Sequence, residues 1–177
     1  MAIRKLMSLQ FLSHGEGMTG KGSMRSKSWL EKLHDSKDLP RIVVLDKQTK
    51  SASVETCVIP APLEVDEVMR KVPEGRLITI NDIRAILARK HGTTFGDLTA
   101  TSIFSNIAAL AAVEAAEAGH DDITPYWRTV QENGALREKY PGGAEGQKAL
   151  LEKEGHTVAQ KGRRLVVQDF ETKRFRL

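Results

Sequence analysis

Residues Ile123 to Gly155 constrain this chain more than any other stretch. The segment begins Ile123-Thr124-Pro125-Tyr126-Trp127-Arg128-Thr129-Val130 and continues Gln131-Glu132-Asn133-Gly134-Ala135-Leu136. Asn133-Gly134 between short apolar pairs is a hairpin signal, because both residues tolerate positive φ. Pro141-Gly142-Gly143 makes a loop that lets a ligand or another backbone approach closely. Ala144 to Glu154 is rich in helix formers, and Gly155 suits the position just past a helix end. The order is therefore buried corner, hairpin, glycine loop and short helix.

Upstream, Leu63 to Val72 carries Val65, Val68, Met69 and Val72 at helical spacing, with Pro62 suited to the first turn and Pro73 to the stop. Thr79-x-x-Asp82 is a capping-box start for a second helix, whose apolar face is Ile83, Ile86 and Leu87. A long joint from His91 to Thr99 precedes an alanine-rich helix from about Thr101 to Ala118, ended by Gly119. This order predicts a mainly α fold with small β elements, in which a helix-turn-helix plus hairpin makes a winged-helix-like domain.

The flanks read differently. Residues 1–27 read as a disordered leader and residues 28–60 as an extended N-terminal arm with short β segments. Arg41 to Asp46 and Ser53 to Ile59 are the β-rich pieces, with a polar turn at Lys47 to Ser51; extended arms are preferred here to a hairpin of the two. Residues 61–155 form the winged-helix-like domain, and 156–177 a C-terminal β-hairpin with a basic, solubilising tail.

The motifs in the central and later parts, taken together, resemble the alkylguanine-DNA alkyltransferase family. That family carries Pro-Cys-His-Arg-Val, a short hairpin with Gly-x-Leu, a Tyr-x-Gly-Gly loop and a Leu-Leu-x-x-Glu-Gly helix end. Here Pro125, Arg128, Val130, Gly134, Leu136, Tyr140, Gly142, Gly143, Leu150, Leu151, Glu154 and Gly155 follow in that order at closely similar spacing. Tyr126 stands where the family has its acceptor cysteine, and Trp127 where it has the adjacent histidine. The chain is thus similar to cysteine-less, alkyltransferase-like relatives. The resemblance implies a DNA-binding repair protein that does not transfer alkyl groups. It also places Ile80 where the family uses a tyrosine to rotate a nucleotide, and no arginine on the helix that enters the minor groove.

Alkyl transfer from guanine requires a thiolate, which a neighbouring histidine and glutamate help to form. Only Glu154 of that relay is present. The pocket and base-binding candidates are accordingly Tyr126, Trp127, Arg128, Tyr140, Gly142, Gly143 and Glu154. Tyr126 and Trp127 suit either base stacking or core packing, and Arg128 either loop bracing or phosphate contact. The DNA-facing candidates are Thr79, Ile80, Asn81 and Arg84 on the first helix of the pair, and Thr101, Ser102, Ser105 and Asn106 on the second. The last four sit where free N–H groups and the positive dipole end meet a phosphate.

Charge qualifies this picture. The 177 residues carry a formal charge of +4, but no Lys or Arg occurs from His91 to Trp127. A neutral-to-acidic recognition helix fits a protein-interaction domain, so that reading stays beside the DNA reading. A third is a small-ligand binder using a pocket at Tyr126 and Trp127. One cysteine, Cys57, excludes an internal disulfide and reads as a half-buried strand residue. The five histidines lack metal-ligand spacing, so neither metal nor cofactor is expected. The expected partner is double-stranded DNA, plain or alkylated, with a repair protein as a second candidate. A monomer is expected, cytoplasmic or nucleoid-associated, with no apolar run approaching the ~18 residues of a membrane span.

Overall fold

The computed structural model describes residues 26–45 and 54–176. The leader reading of residues 1–27 lies outside this range except for its last two residues, and the polar-turn reading of Lys47 to Ser51 lies wholly outside it.

Ser28 opens α1 (Trp29–His34) with a capping box: its hydroxyl accepts from the Glu31 N–H, and Glu31 accepts from the Ser28 N–H. The short helix buries Leu33, and its Leu30 N–H donates to Glu114 Oε2 at 2.7 Å, tying it to the long helix. Next come β1 (Arg41–Leu45) and β2 (Glu55–Ile59), which pair antiparallel from Arg41↔Ile59 to Leu45↔Glu55. Extended separate arms are therefore not what the chain makes. Two β-rich segments satisfy their backbone polar groups on each other, and β2 joins β4 (Phe95–Gly96) in parallel to dock the pair onto the domain. Cys57 lies buried in β2, where burial pushes its thiol pKa up.

The helical body follows the sequence pattern. Pro62 starts α2 (Pro62–Arg70), which buries Val65, Val68 and Met69. After β3 (Ile78–Thr79), Thr79 caps α3 (Ile80–Lys90): its Oγ1 accepts from the Asp82 N–H at 3.1 Å, while its own N–H donates to Asp82 Oδ2 at 3.0 Å. The next helix, α4 (Leu98–Glu117), begins three residues before Thr101, because Asp97 accepts from the Ala100 N–H at 2.6 Å. The joint ahead of it is correspondingly shorter and contains β4. Ala108, Ala109, Ala111, Ala112 and Ala116 make a flat buried face that lets α1, α2 and α3 close on α4. By length and composition α4 is apolar enough to cross a bilayer, contrary to the sequence reading.

A 3-10 turn at Tyr126–Arg128 leads into β5 (Thr129–Val130), which pairs in parallel with β3 through Ile78↔Thr129 and Thr79↔Val130. The Asn133-Gly134 turn is present, with the Gln131 N–H on the Ala135 oxygen and the Gly134 N–H on the Gln131 oxygen, both at 2.9 Å. Its flanks do not pair with one another as a ladder. The chain before the turn is β5, paired with β3, whereas Ala135 bridges Val166 in the C-terminal hairpin. That hairpin is β6 (Val158–Lys161) and β7 (Arg164–Val167), reached through α5 (Gly143–Lys153).

The chain then forms a single turn, α6 (Phe170–Lys173). Its end is no loose basic tail. Leu77 exchanges backbone hydrogen bonds with Lys173 and Phe175, and Arg174 donates to Asp82 Oδ1 at 2.8 Å and Glu132 Oε1 at 3.0 Å. A mainly α domain with small sheets results, in which the C-terminus braces the cap of α3.

Candidate nucleic-acid interface

The predicted site residues separate into two places. The first is an interior aromatic cluster. The 3-10 turn points both Tyr126 and Trp127 inward, and Tyr126 is 1% exposed. Its ring meets Trp127 edge-on at 5.4 Å and Tyr140 at 5.7 Å between centroids. Burial pushes the phenol pKa of Tyr126 well above its ordinary value, with Tyr140 acting in the same direction. These rings fill the interior and offer no open face to a base.

Glu154 holds the cluster from behind. Trp127 Nε1 donates to its Oε1 at 2.6 Å, Arg128 Nη2 to the same oxygen at 2.8 Å, and the Gly75 N–H to Oε2 at 3.2 Å. Burial alone would raise this carboxyl, but Arg128, Trp127 and Gly75 outweigh it and hold it below the usual carboxylate value. Arg128 also donates to the Val72 oxygen at 2.7 Å. Glu154 therefore joins the 3-10 turn and the Gly75 link to the end of α5, and Arg128 extends the bracing to Val72, just past α2. Arg128 braces this loop, the structural alternative posed by the sequence. Gln147, not singled out by the sequence, is fully buried and donates to the Trp127 and Thr129 oxygens at 2.9 and 2.8 Å. A glutamine on the inner face of a short helix carries no local signal of that role.

Gly142 and Gly143 do not lid the cluster. Both have positive φ where α5 begins, and they border a separate cleft of about 330 Å³ with Arg163 and Arg164 of the hairpin. Tyr140 likewise lies inside, 2% exposed, where burial raises its pKa against Arg137 and the hydroxyls of Ser105 and Thr129.

The second place is an open groove of about 530 Å³ between the start of α3, the first turns of α4 and the loop after the Asn133-Gly134 turn. Of the DNA-facing candidates, Ile80, Asn81, Ser102 and Asn106 line it. The others do not reach it. Thr79 is fully buried beside Asp82 and Glu132. Thr101 and Ser105 are also fully buried, their hydroxyls donating to the Asp97 and Ser102 oxygens of their own helix. Both lie on the buried alanine face of α4, in line with Ala108 and Ala112, and starting the helix at Leu98 moves the free N–H groups to earlier residues. Arg84 folds back to donate to the Gly96 oxygen and lies 5.6 Å from the Phe95 ring. Ile80 is 6% exposed, an apolar wall with no ring to press on a base.

The sequence reading missed Arg137. It lines the groove, with Nη2 at 2.9 Å from Ser102 Oγ and 3.4 Å from Asn106 Oδ1. Lys139 lies beside it, exposed. The clue lay in the charge distribution: a helix without cations is followed, across the turn, by an arginine and a lysine two residues apart. Among the described residues, no group of three His, Cys, Asp or Glu side chains is placed to hold a metal ion.

No protein-family model matches this chain, and no curated protein does. Among solved structures it is similar to S. pombe Atl1 in complex with damaged DNA containing O6-carboxymethylguanine, with a TM-score of 0.45 and 17% identity over 66% of this chain and 94% of that one. It is also similar to S. pombe ATL in complex with DNA, with a TM-score of 0.43 and 19% identity over 66% of this chain and 94% of the other.

Proposed function

We propose that this chain is a non-enzymatic, duplex-DNA-binding module that engages the backbone and groove without drawing a base into its interior. The observation that carries this reading is the groove. Two helices joined by a short connection and a glycine turn bring exposed Asn81 and Lys139, half-buried Ser102 and Asn106 and nearly buried Arg137 to one groove, whose carboxylate, Glu132, is paired with Arg174. Neutral donors and two cations are the chemistry of phosphate and sugar contact. The aromatic cluster behind the groove supports the absence of base capture, since Tyr126 occupies the interior where an everted base would need space. The same residue supports the absence of alkyl transfer: a buried phenol with a raised pKa is a poor nucleophile, and Trp127 is no base.

One observation favours a protein partner instead. Leu98 and Ile103, 49% and 51% exposed, line the same groove. Fluorescence anisotropy of a labelled plain duplex, titrated at several salt concentrations, separates the two. The duplex reading expects binding that weakens steeply with salt. Absence of binding at ~50 mM salt, where phosphate contacts are strongest, contradicts it and leaves the protein-partner reading.

A further inference from the structure

Among the described residues, Arg137 has no counter-charge. It is 9% exposed, and its own N–H is fixed to Gln147 Oε1 at 2.7 Å. The guanidinium lies 4.8 Å over the Tyr140 ring and donates to Ser102 and, more weakly, to Ser105 and Asn106. All of these partners are neutral. The Nε–H is buried with no acceptor among the described residues.

The carboxylates nearby are engaged elsewhere. Glu132, which borders the groove, is committed to Arg174 and the Thr79 hydroxyl. Glu138, adjacent in sequence, faces the cleft on the other side with Arg163 and Arg164. A nearly buried cation with only neutral partners bears a desolvation cost that one anion beside it removes. The part of its guanidinium that lines the groove can donate to one oxyanion oxygen while Nη2 stays on Ser102.

We propose that Arg137 is the anion anchor of this groove and that it takes a phosphate oxygen, supplied by the nucleic-acid backbone. In this arrangement the cation comes from the loop after the glycine turn and is held on the helix face by Ser102 and Asn106. A recognition helix with no Lys or Arg thereby acquires a positive charge at its first turns. The source of the phosphate rests on the duplex-binding reading; the anion site does not.

The test uses the full chain, Arg137→Gln and Arg137→Lys. Duplex affinity is read against salt by anisotropy, and the Arg137 side-chain Nε–H resonance is followed by NMR during addition of inorganic phosphate and of duplex. The expected result is that R137Q, still folded, binds about tenfold more weakly at moderate salt. Its log–log salt slope flattens by about 0.9, the share of one phosphate, while R137K keeps the slope. The native Nε–H resonance moves with both ligands. A folded R137Q with the native slope overturns the proposal, because a purely structural arginine changes melting temperature and leaves the slope alone. If R137Q does not fold, the native titration decides: a resonance still under both ligands overturns the proposal, and movement sustains it. If the native protein binds no duplex, movement with inorganic phosphate sustains the anion site while the duplex reading fails. No movement then ends both.

Discussion

Trp127 donates its indole N–H to Glu154 Oε1 at 2.6 Å. The bond is structural here: it fixes the 3-10 turn to the end of α5. Trp127→Phe keeps an aromatic ring but removes the donor and some buried volume, and is expected to destabilise by at least about 1.5–3 kcal/mol, the range for a hydrogen bond to a charged group. Glu154→Gln leaves Arg128 buried without its partner and is expected to cost more, about 3–5 kcal/mol. Urea unfolding of both variants checks the order. Equal and small effects would contradict Glu154 as the hub.

Incubation with an O6-alkylguanine duplex, followed by intact mass measurement, is expected to leave the mass unchanged. Tyr126 has a raised pKa and Cys57 lies buried in β2, where its thiol is also raised. Tyr126→Cys alone is expected to remain inert as well, since Trp127 supplies no base to form the thiolate. A stoichiometric alkyl adduct on either protein refutes this.

Gly134 has φ +74°, and a methyl group added there would sit 2.8 Å from the Phe170 ring. Gly134→Ala is therefore expected to lose roughly 1–2 kcal/mol from the left-handed backbone alone. A further loss comes from pushing α6 away. Combining it with Phe170→Ala isolates the steric part, and the double variant is expected to be less destabilised than the two single effects added. Additive effects would mean that α6 moves aside freely.

Acid should destabilise the fold in two stages. Burial holds the His156 pKa below its ordinary value, and its Nε2 has no hydrogen-bond partner among the described residues. The unfolded chain therefore binds the proton more readily. Stability is expected to fall as pH drops below the unfolded histidine value of about 6.5. Glu154 and Asp82 are held below the usual carboxylate values, so the stability they contribute is present above about pH 4 and disappears as pH falls through their folded values. Unfolding measured against pH in His156→Leu is expected to lose the first stage and retain the second. Persistence of the first stage would assign it to another group.

Local signals carried much of the architecture. The Thr79-x-x-Asp82 box, Pro62 and the alanine run each fix a backbone choice within a few residues and are found where the sequence places them, whereas Asn133-Gly134 makes its turn without the expected hairpin. Missed features depend on distant partners. Pairing of β1 with β2 and the route of the chain out of the glycine turn are decided by β4, β3 and β7. The start of α4 shifted because Asp97 reads equally as a loop residue or a cap. Thr101 and Ser105 lie in the core because helical spacing puts them on the same face as Ala108 and Ala112. Arg137 escaped notice because its partners, Ser102 and Asn106, lie more than thirty residues upstream.

The account turns on whether a guanine lesion enters the protein. Anisotropy competition at one fixed salt concentration, between otherwise identical duplexes containing guanine or O6-alkylguanine, measures this directly. With Tyr126, Trp127 and Tyr140 filling the interior, the affinities are expected to agree within about a factor of three, less than 1.4 kcal/mol of discrimination. A preference of a hundredfold or more for the alkylated duplex would contradict the account, since it would require an everted base to displace that aromatic cluster.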